Sequence, residues 1–345
     1  MSRWTVILAG GVGSRFWPVS TPERPKQLLP LATDKPLLQD AVDRLTPMVD
    51  AAHMLILTNA DLVGAIRELL PELPRENIIA EPKPAGTAAA LAWAARVIEQ
   101  RDGSDATMIS VHADWAIGDD DQFRKRLEQG ETHAQKTHTL VTVGIVPTRA
   151  DPGFGYIQPS DPKRTISLVE RFVEKPERQK AEKLRAEGYL WNSGIFIWTV
   201  GDFLAQAKQH AVELKKELSL GNDVDAAQFF AAVSRPISVD NAVLERSKNV
   251  AVVRGDFGWD DIGTWSALAR VRDKDEFGNV TTGDVHLLDC NENVVHADDN
   301  RVVMYGVEKL VVVVHDGLTL VTTCDKATDL ERLVESLPGP QRTKG

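Results

Sequence analysis

At 345 residues and 43% hydrophobic composition, the chain can bury a sizeable core and divide into about two domains. Its formal net charge of −10 excludes a surface that binds nucleic acid or an anionic membrane non-specifically, so any phosphate it handles must meet locally gathered cations or a metal. Two cysteines, Cys290 and Cys324, are too few for a disulfide framework or a cysteine zinc site, and no apolar run approaches the ~20 residues of a membrane span, which predicts a cytoplasmic protein.

The apolar run over 4–9 predicts a buried strand. It ends in Gly10, Gly11 and Gly13, where backbone N–H groups can approach an anion, and Ser14, Arg15 and Lys26 follow. Pro18, Pro22 and Pro25 keep this stretch out of helix and predict a long loop draped over a site. It is neither a dinucleotide fingerprint, which needs glycine where Phe16 stands, nor a Walker A loop, which needs Lys-Ser/Thr where Ser14-Arg15 follow Gly13. Helices over 37–45, 61–70 and 87–99 then alternate with strands over 53–58, 77–80 and 106–111, the rhythm of an α/β fold with a parallel sheet. Ligands of such sheets sit beyond the strand C-termini, which draws attention to Glu81, Gly86 and Thr87, the last a helix N-cap candidate, and to Asp114.

A strand over 139–145 leads into DPGFGYIQP with Gly155, and a strand over 166–173 into Glu174-Lys175-Pro176 and a charged helix to about residue 187. WNSGIFIW, 191–198, is an aromatic strand in which Asn192 offers a donor and an acceptor, while Phe196 and Trp198 read as core. Helical patterns fill 200–210 and 224–232. A strand over 250–254 precedes GDFGWDDIGTW, where the adjacent Asp260 and Asp261 sit in a glycine- and tryptophan-bounded turn and Asp260 suits a helix start. From 279 to 323 short β-rich runs recur between turns, which divides the chain into 1–275 and a small β domain over 276–345. The run 311–314 is too apolar for a free edge, which predicts cover from a neighbouring subunit, and a last helix spans 329–337.

AGGVGSRFWP followed by RPKQLLPL resembles the signature of the sugar-1-phosphate nucleotidylyltransferases, and its Trp-Pro and Pro-Lys-Gln forms resemble their mannose-1-phosphate guanylyltransferase branch. The resemblance extends over VEKP, WNSGIF and the WDDIGTW turn, essentially the whole chain. It implies a Rossmann-like nucleotidyltransferase domain with a mixed central sheet, a left-handed β-helix-like C-terminal domain and a homodimer formed through it. It also implies transfer of GMP from GTP to mannose 1-phosphate with Mg²⁺ held by Asp114 and Asp261, and catalysis by these two with Arg15 and Lys26. Gly10, Gly11, Gly13, Ser14, Arg15, Lys26, Glu81, Gly86 and Thr87 would bind the nucleotide; Gly155, Glu174, Lys175 and Asn192 would bind the sugar phosphate. The family usually carries Arg-Asn where Ala85-Gly86 stand, and other residues at His112 and Trp115. These departures leave open another sugar phosphate or nucleotide, and a non-catalytic nucleotide-sugar-binding homologue.

Overall fold

The computed structural model describes residues 1–11, 14–221 and 224–338, with Ser14 described by its backbone alone. Two compact units share the chain: Met1–Gly10, Val42–His112 and Asp119–Phe257 in the first; Gly11–Ala41, Ala113–Gly118 and Gly258–Gly345 in the second. No helix among the described residues is long and apolar enough to cross a membrane.

The first unit is built on nine strands: β1 (Arg3–Leu8), β2 (Met54–Asn59), β3 (Ile78–Glu81), β4 (Thr107–His112), β5 (Leu140–Ile145), β6 (Tyr156–Pro159), β7 (Ile166–Val173), β8 (Leu190–Thr199) and β9 (Val250–Gly255). Their order is β3-β2-β1-β4-β8-β5-β9-β7-β6. The half from β3 to β4 is parallel, β8 runs antiparallel between β4 and β5, and β5 and β9 are parallel again, so the sheet is mixed. Trp4, Val6 and Leu8 of β1 join one core while Ile7, between them, is equally buried, because a parallel strand is covered on both faces. The helix Thr87–Asp102 contributes Ala88, Ala89, Ala90, Ala92, Ala94 and Ala95 to that core, and these small side chains let it pack closely on Leu55, Leu57 and Met108. Phe196 and Trp198 are core residues, with stacked rings 5.5 Å apart.

One long helix, Asp120–Thr137, was not expected from the pattern. Asp119 caps it by accepting from the Gln122 N–H, and its inner face is Phe123, Leu127, Gly130, Glu131 and Ala134. Helical spacing is present, but a glycine and a glutamate occupy that face and dilute the apolar signal. Gly130 is required there because a Cβ would stand 2.5 Å from Ile197 Cδ1, and Glu131 accepts from Arg3 Nε at 2.9 Å.

The second unit holds a sheet of β10 (Val280–Leu288), β11 (Val294–Tyr305), β12 (Leu310–His315) and β13 (Leu318–Thr323). β10, β11 and β12 pair in parallel, with Val280 beside Val294 and Val294 beside Val311, which is the stacking of successive coils; β13 closes the sheet antiparallel. β11 runs unbroken past the corner at Gly283, whose φ of +87° and contact with the Ala297 carbonyl admit no side chain. Val311–Val314 needs no neighbouring subunit for cover. It lies between β11 and β13, and all four valines are buried within the chain.

Stacked asparagines join the coils. Asn293 is fully buried; its Nδ2 donates to Asn279 Oδ1 at 2.9 Å and to the Val307 carbonyl at 3.1 Å, and its Oδ1 accepts from the Leu310 N–H at 3.0 Å. Asn293→Ala strands these groups without water, so chemical denaturation should show the second unit destabilised by about 2–4 kcal/mol, given ~1–3 kcal/mol for each orphaned buried group. A loss below about 0.5 kcal/mol would mean the ladder carries no stability.

Candidate functional site

In the second unit three distant stretches of sequence converge on one ammonium group. Pro25 opens a 3-10 turn, Lys26–Leu28, that buries the Lys26 side chain, and the Leu29 N–H closes it on the Lys26 carbonyl. Lys26 Nζ donates to Asp114 Oδ2 at 3.1 Å and to the Asp261 carbonyl at 2.5 Å. The Asp114 side chain keeps more than a third of its surface exposed, so its carboxylate also faces solvent. The segments bearing the two aspartates are zipped by backbone bonds: Ala116 and Asp260 exchange N–H···O contacts of 2.9 and 3.0 Å, and the Gly118 N–H reaches the Gly258 carbonyl at 3.1 Å. Trp115 packs edge-to-face on Trp259, ring centres 5.8 Å apart, so the tryptophan that departs from the family pattern serves as packing beneath the aspartates.

Gly11 has φ +140°, and a Cβ there would meet nothing within 4 Å, so the backbone conformation and not crowding calls for glycine. Gln27 Nε2 donates to its carbonyl at 3.3 Å, tying the glycine loop to the Lys26 turn. Arg15 is exposed in the 3-10 turn Ser14–Phe16, whose Phe16 is buried against Trp265. Gly13 and the side chain of Ser14 lie outside the described residues. Arg272 secures the far end of the loop: its guanidinium donates to the carbonyls of Pro30, Leu31 and Thr33.

Among the described residues no three His, Cys, Asp or Glu side chains are grouped to hold a metal. Two carboxylates are nevertheless the usual protein share of a Mg²⁺ that completes its octahedron with substrate phosphates and water, so Asp114 and Asp261 fit that ion with nucleotide bound. Gly263 leaves room for it, since a Cβ there would press on Asp261 Oδ2 at 3.0 Å.

The first unit holds the other candidates, and a chain of contacts runs from Gly86 to Lys175. Glu81 ends β3, and desolvation pushes its carboxyl up to about 7. Gly86 is the residue that precedes the helix Thr87–Asp102; it has φ +80°, and a Cβ would sit 2.4 Å from the Ile237 carbonyl oxygen. Its close approach is therefore to the protein's own backbone. Thr87 is not the N-cap: it is the first helical residue, and its Oγ1 accepts from the Val239 N–H at 2.9 Å. Next in sequence comes Asp240, on a single π-turn, Asp240–Leu244; such turns recur at functional sites. Asp240 is half-buried and accepts from Asn192 Nδ2 at 2.7 Å. Burial raises its pKa, opposed by the Asn192 hydrogen bond and by His112 and reinforced by Glu174. Gly155 closes the group: a Cβ on it would lie 3.1 Å from Glu174 Oε2 and 3.6 Å from Asn192 Cβ. Glu174 and Lys175 are more than half exposed, 3.6 Å apart, with Lys175 at φ +33°, a conformation uncommon for lysine.

Asp240 escaped the reading of the sequence because SVDNAVLE has no glycine or proline punctuation and passes for an ordinary helix start. His112 gains a reason from the same cluster, lying within electrostatic range of Asp240.

Residues 4–277 match the family model described as nucleotidyl transferase. The chain is similar to the mannose-1-phosphate guanylyltransferases of Klebsiella pneumoniae and Escherichia coli, each 35% identical over 98% of this chain and 74% of the relative. Among solved structures it is similar to a Thermus thermophilus protein described as a mannose-1-phosphate geranyltransferase, with a TM-score of 0.90, 30% identity, and 97% and 99% of the two chains covered.

The buried Glu81 carries a pH signature. Its native pKa of about 7 lies above the ordinary 4.5, so the folded protein holds the proton more tightly than the unfolded chain. The associated stability is complete below the ordinary value and is lost as pH rises through the native one. Denaturation of Glu81→Gln and wild type over a pH series should show the variant gaining on the wild type between about pH 4.5 and 7, with a constant difference above. A difference independent of pH would mean that Glu81 is not desolvated.

Proposed function

Since the chain belongs to the nucleotidyl transferase family, we propose that it transfers GMP from GTP to mannose 1-phosphate, giving GDP-mannose and pyrophosphate. The observation that carries this reading is Lys26 bonded to both Asp114 and Asp261, one cation ordering two carboxyl-bearing residues beside a glycine-rich loop. An oxygen of the sugar phosphate attacks the α-phosphorus of GTP in line, and the bond to the bridging oxygen of the β-phosphate breaks as pyrophosphate leaves. The attacking phosphate, with a second pKa of about 6, is already largely dianionic at neutral pH, so no general base is needed. The protein's share is alignment and neutralisation of charge.

Bound at Asp114 and Asp261, Mg²⁺ would neutralise charge on the reacting phosphates. Lys26 has two hydrogen bonds among the described residues and three N–H donors, which leaves one for a phosphate oxygen of the departing pyrophosphate. Gly10, Gly11 and Gly13 offer backbone N–H groups, and Arg15 an exposed guanidinium, to the same triphosphate. Glu81, with Gly86 and Thr87 shaping the turn beside it, accepts the paired N–H donors of guanine as a carboxylate. Glu174, Asn192 and the Gly155 backbone take the sugar hydroxyls, and Lys175 its phosphate. We assign catalysis to residues 1–275 and assembly of a homodimer to 276–345. On β10 and β11, Leu288 lies beside Tyr305, and both, with Val303, are more than half exposed. Tyr305→Glu should shift the full chain to monomer in light scattering; an unchanged mass would refute assembly through this face.

Mg²⁺-dependent pyrophosphate release from each NTP paired with mannose, glucose and heptose 1-phosphates tests the reaction. Turnover confined to GTP with mannose 1-phosphate is the expected outcome, and preference for another pair would replace the assignment. The two lysines should separate. Lys175→Ala should raise KM for the sugar phosphate about ten- to a hundredfold and spare GTP, the value of one charge-assisted hydrogen bond. Lys26→Ala should lower kcat as well as weaken GTP, because charge builds on pyrophosphate only as the bond breaks. Steady-state kinetics with both substrates varied would sink this division if Lys175→Ala weakened GTP alone.

A further inference from the structure

Asp260 stands next to Asp261 and has no part in the mechanism above, yet both its side chain and its backbone are tied into the turn. Its side chain is almost wholly buried. Oδ1 accepts from the Ile262 N–H at 2.9 Å and from Arg270 Nη2 at 2.9 Å, and Oδ2 accepts from Arg270 Nε at 2.6 Å. Its backbone makes both bridging bonds to Ala116. Ile262, fully buried, is held at φ +42°, a conformation that β-branched residues avoid. A bond from a carboxylate to the N–H two residues on is what stabilises a turn of this kind. The reversal at Ile262 fixes the direction in which Asp261 presents its carbonyl to Lys26.

We propose that Asp260, clamped by Arg270, is a positioning residue: it holds the Asp261–Ile262 turn in its strained conformation and so aims Asp261 at the metal and at Lys26. The inference rests on the reading of Asp261 as a metal ligand. Asp260 carries negative charge beside that site, but its carboxylate is consumed by the Arg270 fork and the Ile262 N–H. Arg270 supplies the opposite charge and a rigid geometry that a lysine would not reproduce.

The test compares Asp260→Ala, Asp260→Asn, Arg270→Gln and Asp261→Asn in the full chain. Melting, kcat, both KM values and the affinity for Mn²⁺ are measured, the last by electron paramagnetic resonance of free Mn²⁺ with GTP present. Asp260→Ala should lower kcat by roughly tenfold or more and weaken Mn²⁺ by a similar factor, with KM for the sugar phosphate within about twofold, since a charge-assisted hydrogen bond is lost. Asp260→Asn keeps an oxygen for the Ile262 N–H and should recover most of both. Arg270→Gln, at a half-exposed side chain that leaves this bond in place, should fall between them and carries the test if Asp260→Ala fails to fold. If Asp260→Ala and Arg270→Gln keep wild-type kcat and Mn²⁺ affinity, or lower only the melting temperature, while Asp261→Asn is inactive, the positioning role is wrong and the metal-ligand reading stands. Normal turnover by Asp261→Asn would overturn both.

Discussion

The second unit depends on a buried ammonium. Lys26 lies in a turn that leaves almost none of its surface to water, and it is tolerated there because Asp114 and the Asp261 carbonyl accept hydrogen bonds from two of its N–H groups. Removing one partner of such a pair leaves an uncompensated charge, a far larger loss than the net worth of the pair itself. Three segments more than eighty residues apart are thereby tied to one point. The surrounding bonds keep them there: the Ala116–Asp260 bridge, the Asp260–Arg270 fork and the Arg272 guanidinium on the end of the loop. An arrangement bonded before substrate arrives needs little reorganisation during the reaction, and that suits a transfer in which alignment and charge neutralisation are the whole of the protein's work.

In the first unit the corresponding links from Gly86 to Asn192 are a backbone contact and neutral or single-carboxylate hydrogen bonds. Backbone contact at Ile237 sets Gly86, the Thr87 hydroxyl holds Val239, and the next residue, Asp240, holds Asn192. Asn192 then stands against Gly155 and Glu174. One short stretch, 237–240, in this way braces both the start of the helix Thr87–Asp102 and the Asn192 amide. Desolvation raises the pKa of both Glu81 and Asp240, opposed at Asp240 by its hydrogen bond from Asn192.

The C-terminal coils solve a different problem. Parallel strands stacked one residue above another leave buried polar backbone at each corner, and Asn279 and Asn293 satisfy it in register. The apolar run at 311–314 becomes the interior of this sheet, while the exposed apolar residues include Leu288, Val303 and Tyr305 on β10 and β11 and Val321 on β13.

What the sequence determined by itself was whatever is written in local periodicity and punctuation. The strand into Gly10-Gly11, the α/β alternation to β4, the helix Leu37–Leu45 and the aromatic core of β8 follow from side chains within a few residues of one another. The glycine-proline loop stood out for the same reason, whereas VEKP and Asp261 were singled out by the family resemblance. Only the tertiary structure decided the rest. Thr87 serves Val239, 152 residues away, in place of its own helix end. The helix Asp120–Thr137 depends on a glycine fitting Ile197 and a glutamate pairing with Arg3. Asp240 acquires meaning from Asn192, and Asp260 from Ile262 and Arg270 as much as from any helix start. Each of these is a pairing between groups whose identities are ordinary and whose separation along the chain is large or irregular. No local pattern encodes such a pairing, because burial and hydrogen-bond satisfaction are properties of the packed chain.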